Sequence, residues 1–246
     1  MMQSEKKTLV TLATYNEIEN LPELVQEIFR HAPQADVLVI DDNSPDGTGR
    51  WCDAQAADEP RLRCLHREGK LGLGTATLAG FQYAIDHGYT LVANLDADFS
   101  HPPRYLPALL EAIAPADAPP VDVAIGSRYI SGGGIEGWPL GRHLISRAVN
   151  LYARVMLRLP VRDCTGSYRC YRTAALRQLD FAAMRSAGYS YLEEILWLLD
   201  RRGCTFREIP IVFIDRQHGR SKITLREAAS SIAILLRLGV KNWLGR

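Results

Sequence analysis

The chain has 246 residues, 47% of them hydrophobic, and a formal charge of +1. That is apolar material for one large α/β domain or two small ones. The near-neutral balance, with no Lys/Arg-rich arm and no interleaved stacking aromatics, argues against nucleic acid as a partner.

Thr8–Thr14 reads as a buried strand. Its apolar run ends at Tyr15-Asn16-Glu17 and is too short for a signal peptide. Asn20 with Pro22 opens a helix whose stripe is Leu21, Leu24, Val25, Ile28 and Phe29. Val37–Ile40 is a second strand that runs into Asp41-Asp42 and a turn-rich loop to Gly49; a helix follows to about Ala57. Arg61–Leu65 is a third strand, Gly69–Gly74 a tight turn, and Thr75–Asp86 a helix. Leu91–Leu95 is a fourth strand, too short for a buried helix, that runs straight into Asp96 and Asp98. A helix from Pro103 to Ile113 and a fifth strand, Val121–Ile125, come next. Ser131–Gly137 is glycine-rich and expected to be a mobile lid. Helices over Arg142–Leu157 and Tyr191–Arg201, a strand near Phe206–Ile214, a polar loop Asp215–Lys222 and a last helix from Thr224 complete the chain.

Strands alternating with helices at this spacing predict a mostly parallel sheet flanked by helices. Ligands of such sheets sit outside the carboxyl ends of the strands. Tyr15 and Glu17, Asp41 and Asp42, and Asp96 and Asp98 all fall at such ends. Each alone also fits a helix cap or a solvated turn; three on one edge describe a site. Two carboxylates one residue apart suit a hard divalent cation that shares its shell with phosphates. A tyrosine face can stack a base, and a carboxylate can accept its N–H edge. The cations for a phosphorylated ligand come later, as Arg128, Arg142, Arg147, Arg216 and Lys222.

Other chemistries lack their residues. No Gly-x-Gly-x-x-Gly follows the first strand, and there is no Walker loop and no Gly-x-Ser-x-Gly elbow. His66, His101 and His143 show no metal-ligand spacing. The five cysteines, Cys52, Cys64, Cys164, Cys170 and Cys204, form no Cys-x-x-Cys pair. A scattered, odd set implies reduced thiols and a cytoplasmic setting, and speaks against zinc.

Several motifs carry a resemblance. They are Ala13-Thr-Tyr-Asn-Glu17, Ile40-Asp-Asp-Asn-Ser-Pro-Asp-Gly-Thr48, Leu71-Gly-Leu-Gly-Thr-Ala76, Asp96-Ala-Asp-Phe-Ser-His101, Gly126-Ser-Arg-Tyr129, Gly137-Trp-Pro-Leu-Gly-Arg142 with Ile145-Ser-Arg147, and Phe213-Ile-Asp-Arg216 with Ser221-Lys222. In that order they make the chain resemble glycosyltransferase family two, with its GT-A nucleotide-sugar transferase fold. Within that family it is similar to the polyprenyl-phosphate (dolichyl-phosphate) mannosyltransferases. The resemblance implies that Ala13, Tyr15, Glu17, Ile40 and Asp42 hold the nucleoside. Asp96, Ala97 and Asp98 would hold the diphosphate, with Mg²⁺ or Mn²⁺ on the two aspartates. Arg128, Arg216 and Lys222 would grip phosphates and, with Asp98, carry catalysis; Arg128, Arg142 and Ser146 would meet the lipid phosphate. GDP-mannose and a polyprenyl phosphate are the implied substrates. A UDP-glucose transferase and a non-catalytic nucleotide-sugar-binding subunit are the alternatives.

The chain departs from the family in places. Ala13 stands where the family has proline, and Leu192 where it has glutamine, while Glu194 matches. The Gln-x-x-Arg-Trp signature of processive synthases is missing. Residues 1–223 are thus expected to be the catalytic domain and 224–246 an amphipathic helix. Leu225, Ala229, Ile232, Leu236, Val240 and Trp243 fall on one face, and Arg226, Arg237, Lys241 and Arg246 supply charge. No stretch approaches the roughly 18 apolar residues of a membrane span. Peripheral contact with the cytoplasmic face of a membrane, directly or through a membrane-anchored partner, is the expectation.

Overall fold

The computed structural model describes residues 7–184, 186, 188, 190–216 and 225–244, without the side chains of 225–231. The elements run β1 (Thr8–Thr14), α1 (Leu21–His31), β2 (Ala35–Asp41), α2 (Thr48–Ala56), β3 (Leu62–His66), α3 (Leu73–Asp86), β4 (Leu91–Asp96), α4 (Leu106–Ile113), β5 (Val123–Ser127), β6 (Gly134–Glu136), α5 (Leu140–Leu157), β7 (Arg169–Arg172), α6 (Thr173–Leu176), α7 (Tyr191–Asp200), β8 (Phe206–Pro210), β9 (Val212–Ile214) and α8 (Leu225–Trp243). Short 3₁₀ turns at Pro103–Tyr105 and Phe181–Ala183 complete them.

Seven strands form one sheet in the order β3-β2-β1-β4-β7-β5-β8. β1 to β4 are mutually parallel, as the alternation of strands and helices requires. β7 differs: it lies between β4 and β5 and runs antiparallel to both. Strand alternation divides the core. Leu9, Leu38, Ile40, Val92 and Ile125 face one layer, with Phe81 of α3, Leu157 of α5 and Leu196 of α7. Val10, Leu12, Val37, Val39 and Leu95 face the other, with Leu24 and Ile28 of α1 and Leu109 of α4. Each such fully buried side chain stabilises by about 1.5–3 kcal/mol.

Two sequence expectations change here. The stretch Phe206–Ile214 is two strands in two sheets. Pro210 ends β8, and after the buried Ile211 the chain leaves to pair β9 with β6. Ser131–Gly137, expected to be a mobile lid, contains β6. A Cβ at Gly133 would collide with the Ser127 carbonyl, and one at Gly137, where φ is +83°, would come within 2.9 Å of Asp215 Cβ. These two glycines permit close packing.

Candidate active site

The sheet register brings the predicted residues to one edge. Thr14 lies beside Asp41, and Ala13 lies between Ile40 and Asp96. The loops carrying Tyr15, Glu17, Asp42 and Asp98 leave from these strand ends.

On the β1–β2 side, most polar groups are fixed within the protein. Asp41 accepts from the Thr14 hydroxyl at 3.1 Å and from Ser44 N–H at 3.0 Å. Thr48 Oγ1 accepts from the Glu17 N–H at 3.0 Å, and Asn20 donates to the Glu17 carboxylate at 2.9 Å. The buried Asp42 faces Arg67 Nη1 at 3.0 Å, although neither atom has an aligned hydrogen bond. Burial pushes the Asp42 carboxyl up; the Arg67 charge opposes this without cancelling it. Lys70 Nζ lies 5.1 Å from the centre of the Tyr15 ring. The Ile40 side chain belongs to the core, where it packs beneath Gly80 of α3. Any contact it makes with a nucleoside runs through its backbone.

At the end of β4, each aspartate has one oxygen anchored. Ser167 donates to Asp96 Oδ1 at 2.8 Å, and Ser100 N–H donates to Asp98 Oδ1 at 3.1 Å. The other oxygens have looser neighbours: Asp96 Oδ2 is 3.6 Å from His101, and Asp98 Oδ2 is 3.6 Å from Arg216. Ala97 is buried, and Phe99 takes a positive φ of 60° to turn the chain. His101 is buried against Tyr168 and Phe213. Its Nδ1 accepts the Asp96 N–H at 3.2 Å, so Nε2 carries the proton. Burial holds its pKa below the usual value, against the pull of Asp96 and Asp98.

The cations behave less uniformly than the sequence implied. Arg128 is turned inward. Its Nε and Nη2 donate to the two oxygens of Asp163, both at 2.7 Å, and Nη2 also donates to Thr165. The pair is buried, so in this state Arg128 anchors a loop and does not project a phosphate grip. Arg142 pairs with Asp215 at 2.9 Å and lies 3.9 Å over the Trp138 ring. Ser146 is hydrogen-bonded to the Tyr129 hydroxyl at 2.7 Å. Lys222 lies outside the described residues.

Sequence reasoning missed Arg67, Ser167, Asp163 and the role of His101. Of these, only His101 lies within one of the motifs. Ser167 and Asp163 are 71 and 35 residues from their partners, so no local spacing signals them. It also missed Glu193. Among the described residues this buried carboxyl has one oxygen without a hydrogen-bond partner, and desolvation pushes it up to about 7 despite the charge of Arg169.

The glycosyl transferase family 2 model matches residues 10–180. The chain belongs to that family. It is 41% identical over 240 residues to the undecaprenyl-phosphate mannosyltransferase of Micrococcus luteus, covering 97% of each chain. It is 42% identical over 245 residues to the polyprenol monophosphomannose synthase of Mycolicibacterium smegmatis, covering 98% of this chain and 90% of that one. Among solved structures it resembles glucosyl-3-phosphoglycerate synthase of Mycobacterium tuberculosis, with Mn²⁺, UDP and glucosyl-3-phosphoglycerate bound. The TM-score is 0.67 at 18% identity, over 97% of this chain and 80% of that one. It also resembles the mannosyltransferase PcManGT of Pyrobaculum calidifontis, with GDP-Man and Mn²⁺ bound. There the TM-score is 0.60 at 17% identity, over 98% of this chain and 64% of that one. The fold is that of the GT-A glycosyltransferases, and the chain is a glycosyltransferase.

Proposed function

We propose that this glycosyltransferase moves mannose from GDP-mannose to a polyprenyl phosphate, with inversion at the sugar carbon. One observation carries the reading: 41% and 42% identity, over nearly the whole chain, to two enzymes named for joining mannose to a polyprenyl phosphate. Asp96 and Asp98 fit Mg²⁺ or Mn²⁺. Both are hard oxygen donors, and each is steadied through Oδ1 with Oδ2 less tightly engaged. A bound ion would stabilise charge developing on the leaving diphosphate. The acceptor phosphate is already an anion, so no strong general base is required. Arg142, Arg216, Lys222 and Ser146 orient the phosphates, and orientation supplies much of the barrier reduction. Arg128, through Asp163, holds the loop after β5. Ala13, Tyr15, Glu17, Ile40 and Asp42 frame the nucleoside.

The acceptor lies at a bilayer surface, so residues 224–246 are read as an interfacial segment of a 1–223 catalytic body. Among the described residues no helix is long and apolar enough to cross a membrane. Two exposed apolar stripes support a peripheral seat instead. Leu140, Leu144, Leu151 and Val155 are exposed along α5, and Ile232, Leu236, Val240 and Trp243 along α8. The two helices pack on one another: Asn242 and Trp243 donate to the carbonyls of Leu157 and Met156. Exposed Arg147, Arg158, Arg237 and Lys241 flank the stripes and suit anionic lipid at a cytoplasmic face. The deciding experiment is transfer of radiolabelled sugar to polyprenyl phosphate with Mn²⁺, from GDP-mannose and from UDP-glucose. Transfer from UDP-glucose alone, or from neither donor, would overturn the assignment.

A further inference from the structure

A cluster on β3, the last strand on one side of the sheet, has no assigned part in that chemistry. Cys64 and His66 are two residues apart on β3, so their side chains share one face of the strand. Asp53 comes from α2, which packs over it. His66 Nε2 is 2.9 Å from Asp53 Oδ1, and His66 Nδ1 is 3.9 Å from Cys64 Sγ. One donor atom from each of the three residues lies within 4.8 Å of the others. The cluster is open to solvent: Asp53 and His66 are exposed and Cys64 is half-buried.

We propose that Cys64 Sγ and His66 Nδ1 ligate a second metal ion, a borderline transition cation of the Zn²⁺ class, while Asp53 holds the opposite ring nitrogen, Nε2. Zinc stands about 2.3 Å from sulfur and about 2.0 Å from nitrogen; together these span the observed sulfur–nitrogen separation. Thiolate and imidazole select Zn²⁺, Co²⁺ or Ni²⁺ over Mg²⁺, the reverse of the all-oxygen pair Asp96 and Asp98. The ring is already oriented by Asp53. Solvent supplies the remaining two ligands at this exposed edge. The Cys64 thiol binds a cation as the thiolate, so the cation displaces a proton on binding. The site borders the proposed donor pocket, because His66 pairs with Asp41 across the sheet and precedes Arg67.

Titrating the full chain with Co²⁺ and reading the thiolate-to-cobalt charge-transfer absorption tests this. The wild type should show the band at one ion per chain. Cys64→Ser should lose it, and Asp53→Asn and His66→Asn should weaken uptake by at least about 10-fold. Asp98→Ala and Cys52→Ser should keep it. A wild type without the band, or a band that persists in Cys64→Ser, overturns the proposal. If Cys64→Ser does not fold, the exposed His66→Asn decides: unchanged cobalt affinity in that variant also overturns it.

Discussion

Arg216 Nη1 stands 3.6 Å from Asp98 Oδ2. The proposed phosphate-binding cation thus faces the proposed metal-binding carboxylate, at a distance longer than a charge-assisted hydrogen bond. On the proposed function, a divalent cation at Asp98 would compete with Arg216 for this oxygen, leaving the guanidinium to a phosphate.

Asp98→Ala should therefore lower sugar transfer by at least about 10²-fold, the scale of losing one electrostatic stabiliser. Its stability cost is the Ser100 N–H contact and the 3.6 Å pairing with Arg216, about 1 kcal/mol together. Transfer assays paired with thermal melting check this. Near-normal transfer, or outright unfolding, would reduce Asp-Ala-Asp to a capping turn.

GDP should bind more tightly with Mn²⁺ than in EDTA. The diphosphate and the two carboxylates repel, and an ion between them reverses the sign of the interaction. Calorimetry under both conditions measures it; equal affinities would remove the metal from the site.

Asp163→Ala should destabilise the fold by about 3–5 kcal/mol, because it strands the buried Arg128 guanidinium. Burial alone would raise the Asp163 carboxyl; the charge and hydrogen bonds of Arg128 outweigh that and hold it below its ordinary value. Its contribution to stability is thus present above the ordinary carboxylate range and fades as pH falls through the lowered value. Urea melts of wild type and variant down to low pH should converge in acid.

Glu193 has the opposite sign. Its folded-state pKa of about 7 exceeds the ordinary 4.5. Between those values the unfolded chain gives up a proton that the folded chain keeps, so stability falls as pH rises. The loss by neutral pH is on the order of 3 kcal/mol. Glu193→Gln should flatten the decline in melting temperature between about pH 5 and 8. A variant with the wild-type slope would show that another group causes it.

Vesicle flotation tests the apolar stripes. Binding to anionic vesicles should weaken with salt and in Leu144→Glu and Trp243→Ala. Protein that stays at the bottom of a low-salt gradient would mean that a separate partner delivers the lipid.

The strand ends were legible because strand, turn and carboxylate are contiguous in Leu91–Asp98, and the same holds for Ala35–Asp42. Everything that joins distant segments was not. Arg128 read as a free cation because Asp163 lies 35 residues on. Glycine-rich 131–137 read as a lid because composition reports chain freedom, while the close approach of Ser127 and Asp215 is tertiary. The contact of His66 with Asp53 was hidden because the two belong to different elements. The place of β7 was equally hidden, since short apolar strands do not state their direction.

β7 also sets an order of assembly. β1 to β4 pair among themselves and need nothing that follows Asp96 in the chain. β5 is made well before β7, yet on this side of the sheet β7 is the strand through which it is joined to β4. Until β7 is made, the growing chain therefore lacks the strand that covers the margin of β4 and joins β5 to it. Such a margin is open to pairing with another nascent chain, and closing it requires contacts of long sequence separation, which form slowly. A ribosome that stalls before Arg169 leaves the β4 margin unsealed.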